Sequence, residues 1–168
     1  MPPIPLDHAH EILSIFGITS PSAEYQRTVQ EYGFDHEDFS PVLHQSEFIY
    51  WFDQRGALHD FLEYFQEILS EFDAEFSFTM HHSSEQAHIQ LNEDSTSLHY
   101  HPDEHDEFIR DVVEKLAHIL PSELQLRQWK YNQGSDTIGI ALIPKDDWET
   151  VENLAEEFFE DQWLPVLD

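Results

Sequence analysis

The sequence predicts an α+β fold in which an antiparallel sheet, a three-strand meander plus a hairpin, packs with amphipathic helices and is preceded by two short N-terminal helices. Two observations carry this. Apolar residues recur at helical spacing over 58–72 and again over 108–119, whereas over 76–100 the period drops to two. A third bounds the domain count. No linker, repeat or low-complexity block interrupts the 168 residues, so a single domain spans 1–168, with 1–46 a helical and loop extension of it.

In chain order, Asp7 caps a first helix carrying Ile12, Ile15 and Phe16, and Gly17 closes it. Ser20 and Pro21 supply the cap and first position of a second, with Tyr25, Val29 and Tyr32 on one face and Gly33 at its end. A loop over 34–46 leads into an aromatic strand, 47–52. Leu58, Phe61, Leu62, Phe65, Ile68, Leu69 and Phe72 then form the apolar stripe of an amphipathic helix. Phe76, Phe78 and Met80, then Ala87, Ile89 and Leu91, then Leu98 and Tyr100 alternate with polar residues, as a meander with one buried face requires. A two-residue turn at Glu93-Asp94 sets His88 opposite His99. Phe108, Val112, Leu116 and Ile119 point inward from a helix over 104–120, which Pro121 follows. Strands near 124–131 and 137–143 flank an Asn132-Gln133-Gly134-Ser135 turn, and the change of inward phase between Leu126 and Trp129 predicts a bulge. A last helix over 146–161 carries Trp148, Val151, Leu154, Ala155 and Phe158.

Composition narrows the function. The 13 Phe and 4 Trp are enough for a core, so the charge does not signal disorder. There are 35 acidic residues against 7 basic ones, a formal charge of −28. Such a field repels phosphate backbones and anionic lipid, which excludes nucleic acid and membrane as partners, and it draws in a basic protein. Absence of cysteine removes disulfides, thiolate zinc sites and cysteine nucleophiles. With no basic and apolar signal sequence at the start, the expected location is cytoplasmic. No apolar stretch approaches the roughly 20 residues of a membrane span.

From Gly56 onward the order helix, three strands, helix, two strands, helix resembles the class I chaperones of type III secretion. The passage Ile138-Gly-Ile-Ala-Leu-Ile-Pro144, leading into the final helix, matches the end of that fold. The likeness rests on element order over about two thirds of the chain and leaves the first 55 residues unmatched. It implies a dimer that grips an extended effector segment in apolar grooves. A second likeness is local. His99-Tyr-His101-Pro-Asp103-Glu-His105 is similar to the His-x-His-x-Asp-His box of metallo-β-lactamase-type hydrolases, but Glu104 displaces His105 by one position and no distant histidine set follows. Two histidines at strand spacing share a face, so a metal-dependent enzyme built on His99 and His101 is the second alternative.

Catalytic signals are otherwise missing. The chain has neither a Gly-x-Ser-x-Gly elbow nor a phosphate-cradling Gly-x-x-x-x-Gly-Lys loop. His59 with Glu63, and Glu114 with His118, sit one helical turn apart and form ordinary helix-face contacts. The reading is therefore a non-enzymatic protein with no cofactor and no functional metal. It binds a basic partner, as an immunity protein neutralising a cognate bacterial toxin; the alternative is a secretion chaperone.

Two surfaces are candidates for that contact. One is an acidic stripe on the last helix, Glu149, Glu152, Glu156 and Glu160, flanked by Asp147, Glu157 and Asp161. Like charges at this spacing disfavour their own helix by up to ~0.5 kcal/mol each. The other is the polar face of the meander, represented by His88, Gln90, His99 and His101.

Overall fold

The computed structural model describes residues 4–19, 42–43, 45–53, 58–81, 86–99, 105–129, 137–156, 158–159 and 163–167. Within them the order is α1 (Leu6–Ile15), β1 (Ile49–Asp53), α2 (Leu58–Glu71), β2 (Phe76–His81), β3 (Gln86–Leu91), β4 (Asp94–His99), α3 (His105–Ile119), β5 (Leu124–Trp129), β6 (Thr137–Pro144), α4 (Lys145–Leu154) and β7 (Trp163–Pro165). The fold is α+β, with two antiparallel sheets. The meander forms one sheet, ordered β2-β3-β4, and the hairpin is the centre of the other, β1-β6-β5-β7. The helix expected over 21–32 and the turn over 132–135 lie outside the described residues.

Helix ends follow from local chemistry. Pro5, not Asp7, holds the position before α1, and Asp7 sits in the first turn, where a carboxylate complements the helix dipole. At the other end Gly17 takes φ +73°. Its N–H donates to Ser14 O and that of Ile18 to Leu13 O, so two terminal carbonyls are satisfied. The same pair of bonds ends α2, from Asp73 to Ser70 and from Ala74 to Leu69, with Asp73 at φ 55° in the glycine position.

The sheet of four strands is buried on both faces, and this decides the layout. Leu124, Leu126, Ile140, Leu142 and Phe52 face one apolar cluster, shared with Phe61, Leu62 and Phe65 of α2, Val112 and Leu116 of α3, and Ala87, Ile89 and Leu98 of the meander. Trp129, Ala141, Ile143 and Ile49 face a second, shared with α1, Trp148 and Val151 of α4, Phe158, Phe159 and Trp163. The first cluster thus joins the two sheets.

The bulge expected between Leu126 and Trp129 is absent. Pairing with β6 runs unbroken from Leu124↔Pro144 to Gln128↔Ile140, and pairing with β7 continues to Trp129↔Trp163. The apparent phase change has a simpler cause: alternate residues of β5 enter different cores.

The last helix is interrupted within its expected range of 146–161. It stops at Leu154, where Ala155 leaves helical geometry at φ −151°. Helical geometry resumes at Glu156, and the Phe158 and Phe159 N–H groups both donate to Ala155 O. The break at Ala155 redirects the chain, and Phe158, Phe159 and Trp163 all enter the second cluster, where Trp163 pairs with Trp129.

Gly139 is required by a close approach. It pairs directly with Trp51 of β1, and a Cβ there would lie 2.6 Å from the indole. Gly139→Ala is expected to cost about 1–3 kcal/mol, the usual penalty for overpacking, measured by urea denaturation. Trp51→Ala in the same chain should relieve most of the cost of the second substitution, because the three nearest atoms to that Cβ all belong to the Trp51 ring.

Candidate functional site

The acidic helix is less uniform than its spacing suggests. Glu149 and Glu156 are exposed and Asp147 is half-buried; with Asn153, the glutamates at 149, 152 and 156 line an open recess. Glu157 and Glu160 lie outside the described side chains. Glu152 has a different position from its neighbours. Its carboxylate accepts from Nη1 of Arg127, a β5 residue that is 5% exposed.

A small network surrounds that pair. Arg127 Nε donates to Gln125 Oε1 at 2.9 Å, and its guanidinium lies 4.4 Å from the centre of the Trp148 ring. Trp148 Nε1 donates to the Gln125 carbonyl at 3.0 Å. Alternation along β5 turns Arg127 toward the second core, where an unpaired cation would be costly. Glu152 supplies the counter-charge, and the indole face adds a cation–π contact. The network fastens α4 to the sheet.

Asp147 is held above the ordinary carboxylate range, first by burial and then by the neighbouring Asp146. Its ionisation therefore opposes folding, and the stability it confers when protonated is lost as pH rises past its folded pKa.

The meander presents nine outward side chains in three cross-strand rows: His81, Gln86 and His99; Thr79, His88 and Ser97; Ser77, Gln90 and Ser95. All are exposed except Gln86, which is half-buried. The expected pairing of His88 with His99 is corrected here. His88 faces Ser97, with Nδ1 3.3 Å from its Oγ, and His99 faces Gln86, whose Nε2 is 3.2 Å from Nδ1. The turn is Asn92-Glu93, not Glu93-Asp94. Asn92 accepts φ 53° and its Oδ1 receives the Glu75 N–H, as asparagine is suited to do. The shift moves the partner by two residues, so the same side chains stay outward.

His101, Asp103 and Glu104 lie outside the described residues, as does the His105 side chain, leaving His99 as the described member of that motif. A second trio sits at the start of α2. His59 Nδ1 is 3.4 Å from Glu63 and 3.9 Å from Asp60, all three side chains are exposed, and the imidazole lies edge-on to Phe78. These are the ligand types of a metal site, and they stand exposed on one helical turn, where such groupings are common without an ion.

Sequence spacing missed the Arg127 network, although a lone arginine inside an apolar strand pattern was a signal that a carboxylate must meet it. Glu152→Gln is expected to destabilise the fold by about 1–3 kcal/mol, less than for a fully buried pair because Glu152 is partly exposed. Arg127→Met combined with Glu152→Leu should recover most of that loss in urea denaturation. Separately, Asp147→Asn should raise the melting temperature at pH 7, with the gain vanishing as pH falls below the ordinary aspartate range, where Asp147 is protonated in the folded and unfolded chain alike.

No protein-family model, no curated protein and no solved structure matches the chain.

Proposed function

We propose that the protein is a binding inhibitor of a basic protein, an immunity protein that occupies a cognate bacterial toxin, acting in the cytoplasm without cofactor or catalysis. The carrying observation is uncompensated charge. Against 35 carboxylates there are 7 lysines and arginines, so even complete pairing would leave most acids free. Arg127 is committed to the interior against Glu152, and Lys115 Nζ lies 3.3 Å from the Ser97 carbonyl. A surface of this kind accelerates encounter with a cationic partner and discriminates against neutral ones. Toxins that act on nucleic acid carry basic clefts, which gives the charge a target.

The chaperone alternative needs exposed apolar grooves. Among the described residues the large exposed hydrophobics are Leu6 and Leu164, on opposite ends of the chain. This favours docking on a folded surface over gripping an extended segment. No helix among the described residues is long and apolar enough to cross a membrane.

The purified product of the adjacent gene serves as the test partner. A complex is expected whose association rate falls about ten-fold or more between low and physiological-to-high salt, as screening shortens the reach of the field. Glu149→Gln with Glu156→Gln should slow association by roughly two- to five-fold and leave the melting temperature unchanged or slightly higher. Glu152 is excluded from that set because Arg127 depends on it. Association that is insensitive to salt would sink the charge-based reading.

A further inference from the structure

We propose that the outer face of the meander is the contact centre for the basic partner, with the surrounding carboxylates acting as rim; this rests on the inhibitor reading. The face is unusual for this chain. Its nine positions include no Asp, Glu, Lys or Arg, in a protein carrying 35 acids. Interface centres are depleted of charge, because an ion taken out of water there must be matched or left at a large cost. Hydroxyls, carboxamides and imidazoles each donate and accept, so they can meet a partner's polar groups without that cost.

The face is also rigid and reachable. Its reverse side packs Ala87, Ile89, Leu91 and Leu98 into the core, all 1% exposed or less. With strands ~4.8 Å apart and like-facing residues ~6.8 Å apart, the backbone grid spans about 10 by 14 Å, the size of an interface centre and not of a whole interface. Exposed Glu75 and Glu93 stand at the Ser77–Gln90–Ser95 end and supply the charged rim.

The occupant is a folded basic domain, neither an added strand nor a second copy. Strand addition needs a free edge, and each of the two outer strands has a carbonyl already engaged: Phe76 O of β2 accepts from Gln66 Nε2 at 3.0 Å, and Ser97 O of β4 from Lys115 Nζ at 3.3 Å. Two copies would each bring a charge of −28 to the contact. The partner's matching patch is uncharged and hydrogen-bonding at its middle, with lysines and arginines around it.

The probe is the adjacent-gene product, and the decisive variant is His88→Glu in the central row. It adds negative charge to a protein whose partner is basic, so long-range attraction rises. If the face is the centre, affinity nonetheless falls by about 30-fold or more, through faster dissociation, because a carboxylate is buried against uncharged groups. Ser97→Glu, in the same row, repeats the test should His88→Glu alter the circular dichroism spectrum. Glu75→Gln with Glu93→Gln should slow association by roughly two- to five-fold, and Asp7→Asn with Glu11→Gln on distant α1 should change affinity by less than about two-fold. A complex that tolerates both His88→Glu and Ser97→Glu within about two-fold overturns the assignment of the face and leaves the inhibitor reading standing. No complex at any salt concentration overturns both.

Discussion

Strands β5 and β6 pair along their length and are covered on both sides, and every other element is placed by one of those two sides. Leu124, Leu126, Ile140 and Leu142 fix where α2, α3 and the meander lie. Trp129, Ala141 and Ile143 fix where α1, α4 and the chain end lie. The ladder must therefore keep its register, because a slip of one residue would exchange the two sets and put Arg127 into the larger core. Uninterrupted pairing over both neighbours of β5 is what enforces this.

Arg127 is the one place where that ladder carries a cation inward. Its charge is met by Glu152 and covered by Trp148, so a residue that would weaken the sheet becomes the bolt for α4. The same arrangement divides the acidic residues into two populations. Glu152 belongs to the architecture, whereas Glu149 and Glu156 face solvent and are free to act at a distance. Under the proposed inhibitor reading, a long-range field and a short-range docking surface occupy different parts of one small domain, each tuned without disturbing the other.

Much of the fold was legible because periodicity is strong where only one face is buried. The stripe from Leu58 to Leu69 and the alternation through Phe76, Ile89 and Leu98 both report burial directly. Legibility failed where two faces are buried, since β5 then has no polar side to set its phase. It failed for β7, whose three residues are too few to show a period. At the meander turn the chemistry was present but misweighted: Asn92 tolerates a left-handed backbone better than the acids beside it. The acidic stripe was visible by spacing, but Arg127, 25 residues away, could claim one member only through the tertiary fold. The polar grid was legible as alternation, and its freedom from charge emerges once the three strands are aligned.

The distribution of aromatic residues between the two cores has a spectroscopic consequence. All four tryptophans, Trp51, Trp129, Trp148 and Trp163, belong to or pack against the second cluster, and none lies in the meander. The Trp163 ring centre lies 5.0 Å from that of Trp129 and 6.2 Å from that of Trp148, close enough for their near-ultraviolet transitions to couple. Intrinsic fluorescence thus follows the half of the molecule built on α1 and α4. Loosening of the meander lies out of that signal's sight, so a histidine-based probe at His81, His88 or His99 is the one that reports on it.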